Sequence, residues 1–411
     1  MEVLHPRCCG IDVHKASAVA CLRLQQGARA KTEIQKFGTT TAELLRLHAW
    51  LAEAGCTHVA MESTSVYWKP VFNLLERNFE IVLANAYHIK AVPGRKTDVN
   101  DSEWIADLLA HGLIRASFIP PAAIRELRDL TRHRKSLIRD RVRAANRVHK
   151  VLETANIKLG NVVADVLGVS GRAMLDALVR GETDPASLAM LARGSLISKH
   201  KLLAEALRGG FTAHHAFLLG QILTQLDQLA ELVAACDARI AQVIQPHDGL
   251  IQCLQTIPGV GRRSAEVIVS EIGVDMSRFA SSGHLASWAR ICPGSNESAG
   301  KRKSASTGTG NNWLRTTLLE SAWAASHARK TYLGAQYGRI AKRRGPKRAA
   351  IAVAHSILVI AFHILRDGVE FEDLGADYFD RVNTARQKRY HLRRLAELGC
   401  DVTKIVPATA A

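Results

Sequence analysis

The sequence predicts an α/β domain at the N-terminus followed by a mainly helical remainder. Strand and helix signals alternate over roughly the first 115 residues, and strand signals vanish after Ala122. The length of 411 residues also favours more than one domain, because a single hydrophobic core rarely grows beyond roughly 250–300 residues. We therefore expect separately folded α/β and helical parts.

The N-terminal part begins with three short apolar or alternating runs, at residues 9–14, 18–24 and 32–37. Such runs, separated by small or polar residues, are typical of a three-stranded meander. Leucines at helical spacing after a threonine-rich cap then predict a helix over 41–54. The following elements are a strand at 58–63, a helix at 66–77, a strand at 79–85 and a helix at about 100–111. The order β-β-β-α-β-α-β-α is the topology of the RNase H fold, which we expect here.

The middle of the chain contains two long segments with helical periodicity. Residues 124–153 carry apolar side chains near heptad spacing, including Val142, and residues 215–244 repeat leucine and isoleucine at helical spacing. This pattern fits a coiled-coil hairpin or oligomerisation arm, and it fits a plain helical bundle equally well. The polar face of the first segment is densely basic, with Arg125, Arg128, Arg132, Arg134, Lys135, Arg139, Arg141, Arg143, Arg147 and Lys150.

A glycine-containing turn between two predicted helices follows at 254–273, LQTIPGVGRRSAEVIVSEIG. The turn carries Gly259 and Gly261, and it resembles a helix-hairpin-helix. In that motif the turn and the next helix N-terminus offer backbone N–H groups to a phosphate without reading bases. A simple helical hairpin is the alternative.

The last part of the chain combines a polar loop with further helices. Residues 295–312 are rich in Gly, Ser, Asn and Lys and predict a long loop, which a helix at 313–328 and a basic run at 339–348 follow. The most apolar stretch, 351–365, is too short to span a bilayer and predicts a buried helix. Residues 366–411 form a mixed-charge extension.

Composition favours a nucleic-acid partner in a reducing compartment. The 55 Lys and Arg against 38 Asp and Glu give a formal net charge of +17, which favours a polyanion. The eight cysteines are scattered without a C-x-x-C pair, so a zinc ribbon or a disulfide framework is not expected. The first residues lack the apolar run of a signal peptide. We therefore expect a cytoplasmic protein without a membrane partner.

Four carboxylates stand at positions that suit metal chemistry. Asp12 lies in the middle of the first predicted strand and Glu62 at the end of the fourth, which is its neighbour in an RNase H sheet. Asp98 and Asp101 share one face at the start of the next helix. Clustered carboxylates repel unless a cation neutralises them, so the site implies Mg²⁺ or Mn²⁺. Paired metals can activate the attacking oxygen and stabilise the leaving oxygen of a phosphodiester.

Each carboxylate also has a simpler interpretation. Asp98 and Asp101 are of the type that caps helices, and Glu62 is of the type found at exposed strand ends. Asp12 is harder to explain in this way, because a carboxylate between Ile11 and Val13 is costly to bury.

A second candidate site is the loop PGSNESAGKRKSASTGTGNNWLR at 293–315. A serine hydroxyl among Arg and Lys side chains can attack a phosphodiester and be held as a phosphoserine. Taken alone, the segment also fits a solvated basic loop. Candidate contacts to nucleic-acid phosphates are Gly259, Gly261, Lys301, Arg302, Lys303, Arg315, Arg132, Lys135 and Arg139.

Several motifs together resemble one protein family. They are GIDVHK, AMESTSVYWKPV, KTDVNDSEWIADLLAHGLI, TIPGVGRRSAEVIVSEIG and the segment from Pro293 to Arg315. The chain is similar over roughly residues 8–330 to DEDD-type transposases of bacterial insertion sequences, the bridge-RNA-guided recombinases. The resemblance implies a RuvC-like domain, a coiled-coil linker and a C-terminal transposase domain. On this chain we expect them at 1–120, 121–247 and 248–340, with a basic helical extension at 341–411.

The resemblance also implies chemistry and partners. The family's four metal-binding acids map onto Asp12, Glu62, Asp98 and Asp101. Its nucleophilic serine, which bonds covalently to DNA, maps onto Ser298. A structured noncoding RNA that pairs with donor and target DNA and a homo-oligomer, dimer or tetramer, are further implied, in a bacterial, nucleoid-associated setting.

This sequence departs from the family pattern at the proposed nucleophile. It reads Ser298-Ala299-Gly300 where relatives commonly show Ser-Gly-Gly, so Ser295 is a competing nucleophile. The stretch after Arg348 has no assigned part in the resemblance. A metal-dependent nuclease or junction resolvase without a covalent intermediate, and a non-enzymatic nucleic-acid-bridging protein, are the rival interpretations.

Overall fold

A computed structural model describes residues 2–27, 29–63, 65–84, 89, 101–292, 297–298, 301–302, 307–308, 310–382, 384–399 and 401–402. The chain divides into two compact units, Met1–Ile119 and Pro120–Ala411. The first is mixed α/β and the second is mainly helical, as predicted. The finer division of the helical part at 247 and 340 stays a prediction.

The first unit is built on a five-stranded sheet of order β3-β2-β1-β4-β5. The strands are β1 Arg7–Val13, β2 Ser17–Gln26, β3 Arg29–Gly38, β4 His58–Glu62 and β5 Glu80–Ala84. The first three pair antiparallel, and β4 joins β1 in parallel with β5 beyond it. The meander and the crossovers are therefore confirmed, and the arrangement is consistent with an RNase H fold.

Helices cover the two faces of this sheet differently. They are α1 Thr41–Glu53, α2 Trp68–Leu75 and α3 Asp101–Ala110. The face of Ile11 and Met61 packs against apolar side chains of α1 and α2. On the opposite face, Cys8 and Ala60 pack against α3. Alternation along β1 thus places neighbouring residues against different helices.

Gly10 sets how closely α3 approaches the sheet. A Cβ on this residue would lie 2.3 Å from both Ser102 O and Ala106 N, which are backbone atoms of α3. A glycine inside a strand often marks such a close backbone approach. The first turn of α3, which contains Asp101, is therefore fixed directly above β1.

Four cysteines of the first unit behave as small buried hydrophobic residues. Cys8, Cys9, Cys21 and Cys56 are buried free thiols. Burial raises the pKa of Cys8 to about 11 and that of Cys56 to about 12. Both thiols are therefore protonated at neutral pH.

Two long helices run antiparallel in the second unit. These are α4 Ala122–Thr154 and α8 Ala213–Ile244. They share one core in which Leu137 and Val148 meet Leu226 and Val233. Shorter helices complete the same core, as in the helical-bundle interpretation: α5 Val169–Val179, α6 Pro185–Ala189 and α7 His200–Ala206. Val142, expected on the apolar face, is 54% exposed instead.

The remaining helices pack together at the C-terminal side of this unit. They are α9 Asp248–Gln255, α10 Arg262–Ile272, α11 Ser282–Trp288, α12 Asn312–Ser326, α13 Tyr332–Arg344, α14 Pro346–Asp367, α15 Tyr378–Val382 and α16 Thr384–Glu397. The helix expected at 351–365 is α14, whose buried residues include Ile357, Leu358 and Phe362. Among the described helices α14 alone is long and apolar enough to cross a membrane, and half of its most apolar window is buried in the protein. It is a core helix.

We predict that Gly10→Ala destabilises the first unit by about 1–3 kcal/mol, the usual cost of overpacking. The added methyl group has no room because the backbone of α3 occupies its position. The free energy of unfolding from urea titration measures the effect.

Gly249→Ala is the matched control, because a Cβ there has nothing within 4 Å. Equal effects of the two substitutions would contradict the assigned role of Gly10.

Candidate active site and nucleic-acid interface

The parallel pairing of β1 with β4 places Asp12 beside Glu62. The register pairs Cys8 with His58 and Ile11 with Met61. Asp12 and Glu62 are the residues that follow this last pair, on strands that lie about 4.8 Å apart. Both residues are half-buried. The expectation that the two strands carrying these carboxylates are neighbours in the sheet is confirmed.

The carboxylates lie on the face that α3 covers. Asp12 and Gly10 are two residues apart, so both face α3, and Asp101 begins that helix. Asp98 lies outside the described residues. In those that are described, no group of three His, Cys, Asp or Glu side chains is close enough to hold a metal ion. The donor chemistry still fits: carboxylate oxygens from adjacent strand ends are the hard ligands that Mg²⁺ prefers.

His14 is a site neighbour to which sequence reasoning assigned no role. Its Nε2 lies 3.0 Å from Asp12 Oδ2, and its side chain is 64% exposed while that of Asp12 is 24% exposed. The imidazole therefore lies at the solvent side of the carboxylate. The spacing Asp-x-His on one strand face was the available signal, since alternate residues share a face.

The segment expected to be a long loop contains a short hairpin. Strands β6 Glu297–Ser298 and β7 Lys301–Arg302 pair antiparallel, with Ser298 opposite Lys301. Ser298 is thus the last residue of β6, opposite the first residue of a basic strand. Ser295 and Lys303 lie outside the described residues.

The two helices and the glycine-containing turn predicted at 254–273 are confirmed as α9, α10 and the turn between them. The two glycines of this turn have different surroundings. Gly259 has φ +87°, and a Cβ there would lie 2.3 Å from Ser321 O on α12. This glycine therefore packs against a helix. Gly261 caps the start of α10, and nothing lies within 4 Å of its Cβ position. Only the Gly261 side of the turn is open to a ligand.

Both parts of the chain match known transposases. Residues 9–157 match a family model of DEDD transposases of IS110, described as a transposase. Residues 251–338 match a second model, described as the transposase IS116/IS110/IS902 family. The first match covers the sheet and α4. The second covers the α9–α10 helical pair and the β6–β7 hairpin that contains Ser298, which we call the serine hairpin. The two matches together support a transposase of the IS110/IS116 type.

Two relatives agree with this assignment. The chain is 27% identical over 307 residues to a 43.6 kDa protein of insertion element IS110 from Streptomyces coelicolor, covering 68% of this chain and 73% of the relative. It is 27% identical over 247 residues to a 44.8 kDa protein of insertion element IS116 from Streptomyces clavuligerus. That second match covers 52% of this chain and 60% of the relative. The chain is therefore an insertion-sequence transposase, an enzyme that acts on DNA.

Within this transposase, the fully buried carboxylate of Glu271 binds side chains of α4 and the residue that precedes α12. Glu271 accepts two hydrogen bonds from Arg132, at 2.7 and 2.8 Å, and lies 3.4 Å from Arg128 Nε. It also accepts a 2.6 Å hydrogen bond from Asn311 Nδ2. Burial lowers the pKa of Arg128 to about 10, with Glu271 opposing that shift. Arg128 is therefore still protonated at neutral pH, and it lies beside the carboxylate of Glu271.

Asn311 connects Glu271 to the start of α12, the helix that follows the hairpin in the sequence. Its Oδ1 accepts from Trp313 N at 3.1 Å and Leu314 N at 3.2 Å, which caps α12. Arg315, a candidate phosphate contact, donates to Gly308 O at 3.2 Å and to Thr307 Oγ1 at 2.7 Å. The C-terminal end of the serine segment is thus held from both α10 and α12.

Three other candidate nucleic-acid contacts on α4 bind the protein itself. Arg132 pairs with Glu271, and Lys135 lies 2.8 Å from both carboxylate oxygens of Glu320. The Arg139 guanidinium lies 4.8 Å from the centre of the Trp313 ring. Part of the basic face of α4 therefore holds α10 and α12 in place. Binding of nucleic acid by these three residues stays a prediction.

Sequence reasoning missed the residues that provide these partners. Glu271 is 139 positions from Arg132, and nothing local marks such a pair. Arg134, also buried, lies 2.6 Å from Glu266 and 2.9 Å from Asp237. A carboxylate inside an apolar helical run is a signal for a buried partner, since unpaired burial is costly.

We predict that Asn311→Asp destabilises the protein at neutral pH by roughly 3 kcal/mol, the order of cost for an unpaired buried charge. The new carboxylate keeps the cap on α12 but faces Glu271 across 2.6 Å. Repulsion by Glu271 raises the pKa of the introduced carboxyl group in the folded state. The loss in free energy of unfolding, relative to wild type, is therefore complete above that pKa. The deficit shrinks as the pH falls through it, because the protonated acid can donate to Glu271.

Urea unfolding of Asn311→Asp and wild type across mildly acidic to mildly alkaline pH tests this. Asn312→Asp adds the same charge at the exposed next position, and its difference from wild type should not show this pH dependence. A pH-independent deficit in Asn311→Asp would mean that contact with Glu271 is not its cause.

Proposed function

We propose that this transposase cuts and rejoins DNA through a covalent 5′-phosphoserine intermediate at Ser298. A structured noncoding RNA that pairs with donor and target DNA guides it, and it acts as a homo-oligomer. The observation that carries the catalytic part is the β1–β4 register, which aligns Asp12 with Glu62 under the first turn of α3. Clustered acids of this kind suit phosphodiester chemistry.

The carboxylates of Asp12, Glu62, Asp98 and Asp101 would hold Mg²⁺ or Mn²⁺. Bound there, the ion supplies Lewis-acid polarisation of a phosphate oxygen. Asp12 and Glu62 are oriented by adjacent strands, and Asp101 by the helix that rests on Gly10. His14, 3.0 Å from Asp12, holds that carboxylate at the solvent side.

The serine step conserves the phosphoester. The Ser298 hydroxyl oxygen bonds to the scissile phosphorus, the bond to the 3′ oxygen breaks, and a 3′ hydroxyl leaves. Attack by the 3′ hydroxyl of another strand reverses the step and releases the serine. No ATP is required. The backbone register pairs Ser298 with Lys301 and so places the serine in a basic part of the sequence. This supports the role, because cations bind phosphate oxygens strongly.

The second half of α4 supports binding of a nucleic-acid backbone. Arg143, Arg147 and Lys150 line an open groove between α4 and α8. Arg147 donates to Gln225 on α8 at 2.6 Å, and Lys150 is exposed. Binding that depends on such phosphate contacts weakens steeply with salt.

We predict that wild-type protein forms a DNA adduct that survives denaturing electrophoresis, and that Ser298→Ala abolishes it. The assay uses end-labelled element-junction DNA, its flanking RNA and Mg²⁺. Ser295→Ala is the matched variant and keeps the adduct.

Loss of the adduct only in Ser295→Ala would move the nucleophile to that residue. Cleaved DNA without an adduct in any lane would favour the hydrolytic nuclease and refute the serine step.

We predict that Asp12→Ala lowers strand cleavage at least 100-fold while DNA binding stays within about twofold, because the loss falls on transition-state charge stabilisation. Cleavage by wild type is expected to cease when EDTA removes the metal. Gel shift and cleavage assays on the same preparation measure both quantities.

Glu53→Ala, an exposed acid at the end of α1, is the control and keeps full cleavage. Unchanged cleavage by Asp12→Ala would refute the metal site.

A further inference from the structure

One continuous stretch of the helical unit concentrates positive charge. The chain has no Asp or Glu between Glu320 and Asp367, and that span carries nine Lys and Arg. These nine positive charges, with no acid among them, compare with a formal net charge of +17 for the whole chain. The span covers the end of α12, all of α13 and most of α14.

Most of these cations have no acidic partner in the described part of the chain. Arg339 pairs with Asp380, and Arg366 pairs with Asp367. The seven others are exposed, and we name them the basic corner: Arg329, Lys330, Lys342, Arg343, Arg344, Lys347 and Arg348. They differ in this from Arg132 and Lys135 of α4, whose charges Glu271 and Glu320 balance.

The position of two of these cations is unfavourable within the protein alone. Lys347 and Arg348 lie in the first turn of the 22-residue helix α14. The N-terminus of a helix carries partial positive charge, so cations there cost free energy and anions are favoured. A bound polyanion would remove this cost, and backbone N–H groups of the same turn would add to its binding.

An exposed aromatic side chain adjoins the basic corner. Trp323 on α12 is 56% exposed. Its ring centre lies 6.3 Å from that of Tyr337 on α13 and 5.3 Å from that of His327, both edge to face. Arg344 lies seven residues after Tyr337 on α13, on the same helix face and about 10 Å along the axis.

We propose that the basic corner and Trp323 together bind a single-stranded segment of nucleic acid. The Lys and Arg side chains contact successive phosphates, and Trp323 stacks on an unpaired base. Unpaired positive charge beside an exposed aromatic ring is the combination that single strands require. A duplex keeps its bases stacked on each other, so it could use the charges but not the indole.

Binding of a short fluorescent oligouridine, and of a DNA duplex of equal length, tests the proposal. Titrations in EDTA at several salt concentrations exclude any dependence on cleavage, so the result is independent of the serine and metal assignments. Trp323→Ala should weaken oligouridine binding roughly 5–100-fold and leave duplex binding unchanged. Trp323→Phe, which keeps an aromatic face, should recover most of the loss.

The charges are tested by the triple change Lys342→Ala, Arg343→Ala and Arg344→Ala. It should lower the dependence of log affinity on log salt for oligouridine by about 2, since each phosphate contact on a single strand contributes about 0.7. Two controls use exposed residues elsewhere in the unit. They are Lys199→Ala with Lys201→Ala and Arg208→Ala for charge, and Tyr390→Ala for the aromatic ring.

Three outcomes would overturn the proposal. Equal weakening of oligouridine and duplex by Trp323→Ala would make the surface a duplex site. The salt dependence of oligouridine affinity could also fall no further in the triple variant at 342–344 than in the triple variant at 199, 201 and 208. The basic corner would then be a solvated surface that does not bind the strand. A Trp323→Ala variant that changes only self-association, measured by sedimentation, would make the indole a protein contact. Thermal unfolding of each variant confirms that folding is retained.

Discussion

The parallel pairing of β1 with β4 is the constraint on which the candidate active site depends. It aligns the ends of two strands that are far apart in sequence, and it turns Asp12 and Glu62 to the same face of the sheet. Gly10 then determines how close α3 can come to that face. Because the contact is between backbones, side-chain motion does not loosen it, and the start of α3 keeps its place above the carboxylates.

The second unit depends on buried charge as well as on the close backbone contact of Gly259 with α12. Glu271 and Glu266 lie inside α10 and bind arginines of α4. Removing one partner of a buried pair costs about 3–5 kcal/mol, since the other charge is left unsolvated. Asn311 adds the start of α12 to the same cluster. The basic residues of this transposase therefore have two roles. Some hold the helices together, and others are exposed without an acidic partner among the residues that the structure describes.

The sequence predicted the elements of the sheet well because its strands alternate clearly and its turns are polar. It also predicted that Asp12 and Glu62 are neighbours, because the topology leaves few alternatives. Gly10 offered a signal within β1 that was not used. The β6–β7 hairpin was missed, since two-residue strands carry almost no periodicity. Arg132 was assigned to nucleic acid because a helix pattern reveals a polar face but not the carboxylate, 139 positions away, that covers it.

The pairing of Arg132 with Glu271 also governs how such proteins can exchange parts. A chimera that joins the helices of one insertion-sequence enzyme to the serine segment of another keeps this pair only if α4 and α10 come from the same parent. If α4 and α10 come from different parents, Glu271 or Arg132 lies against a helix that need not carry its partner. A junction near Pro120, between the two compact units, leaves the pair intact. In such a chimera α4 through α12 should therefore be exchanged as one block, because Glu271 binds both Arg132 and Asn311.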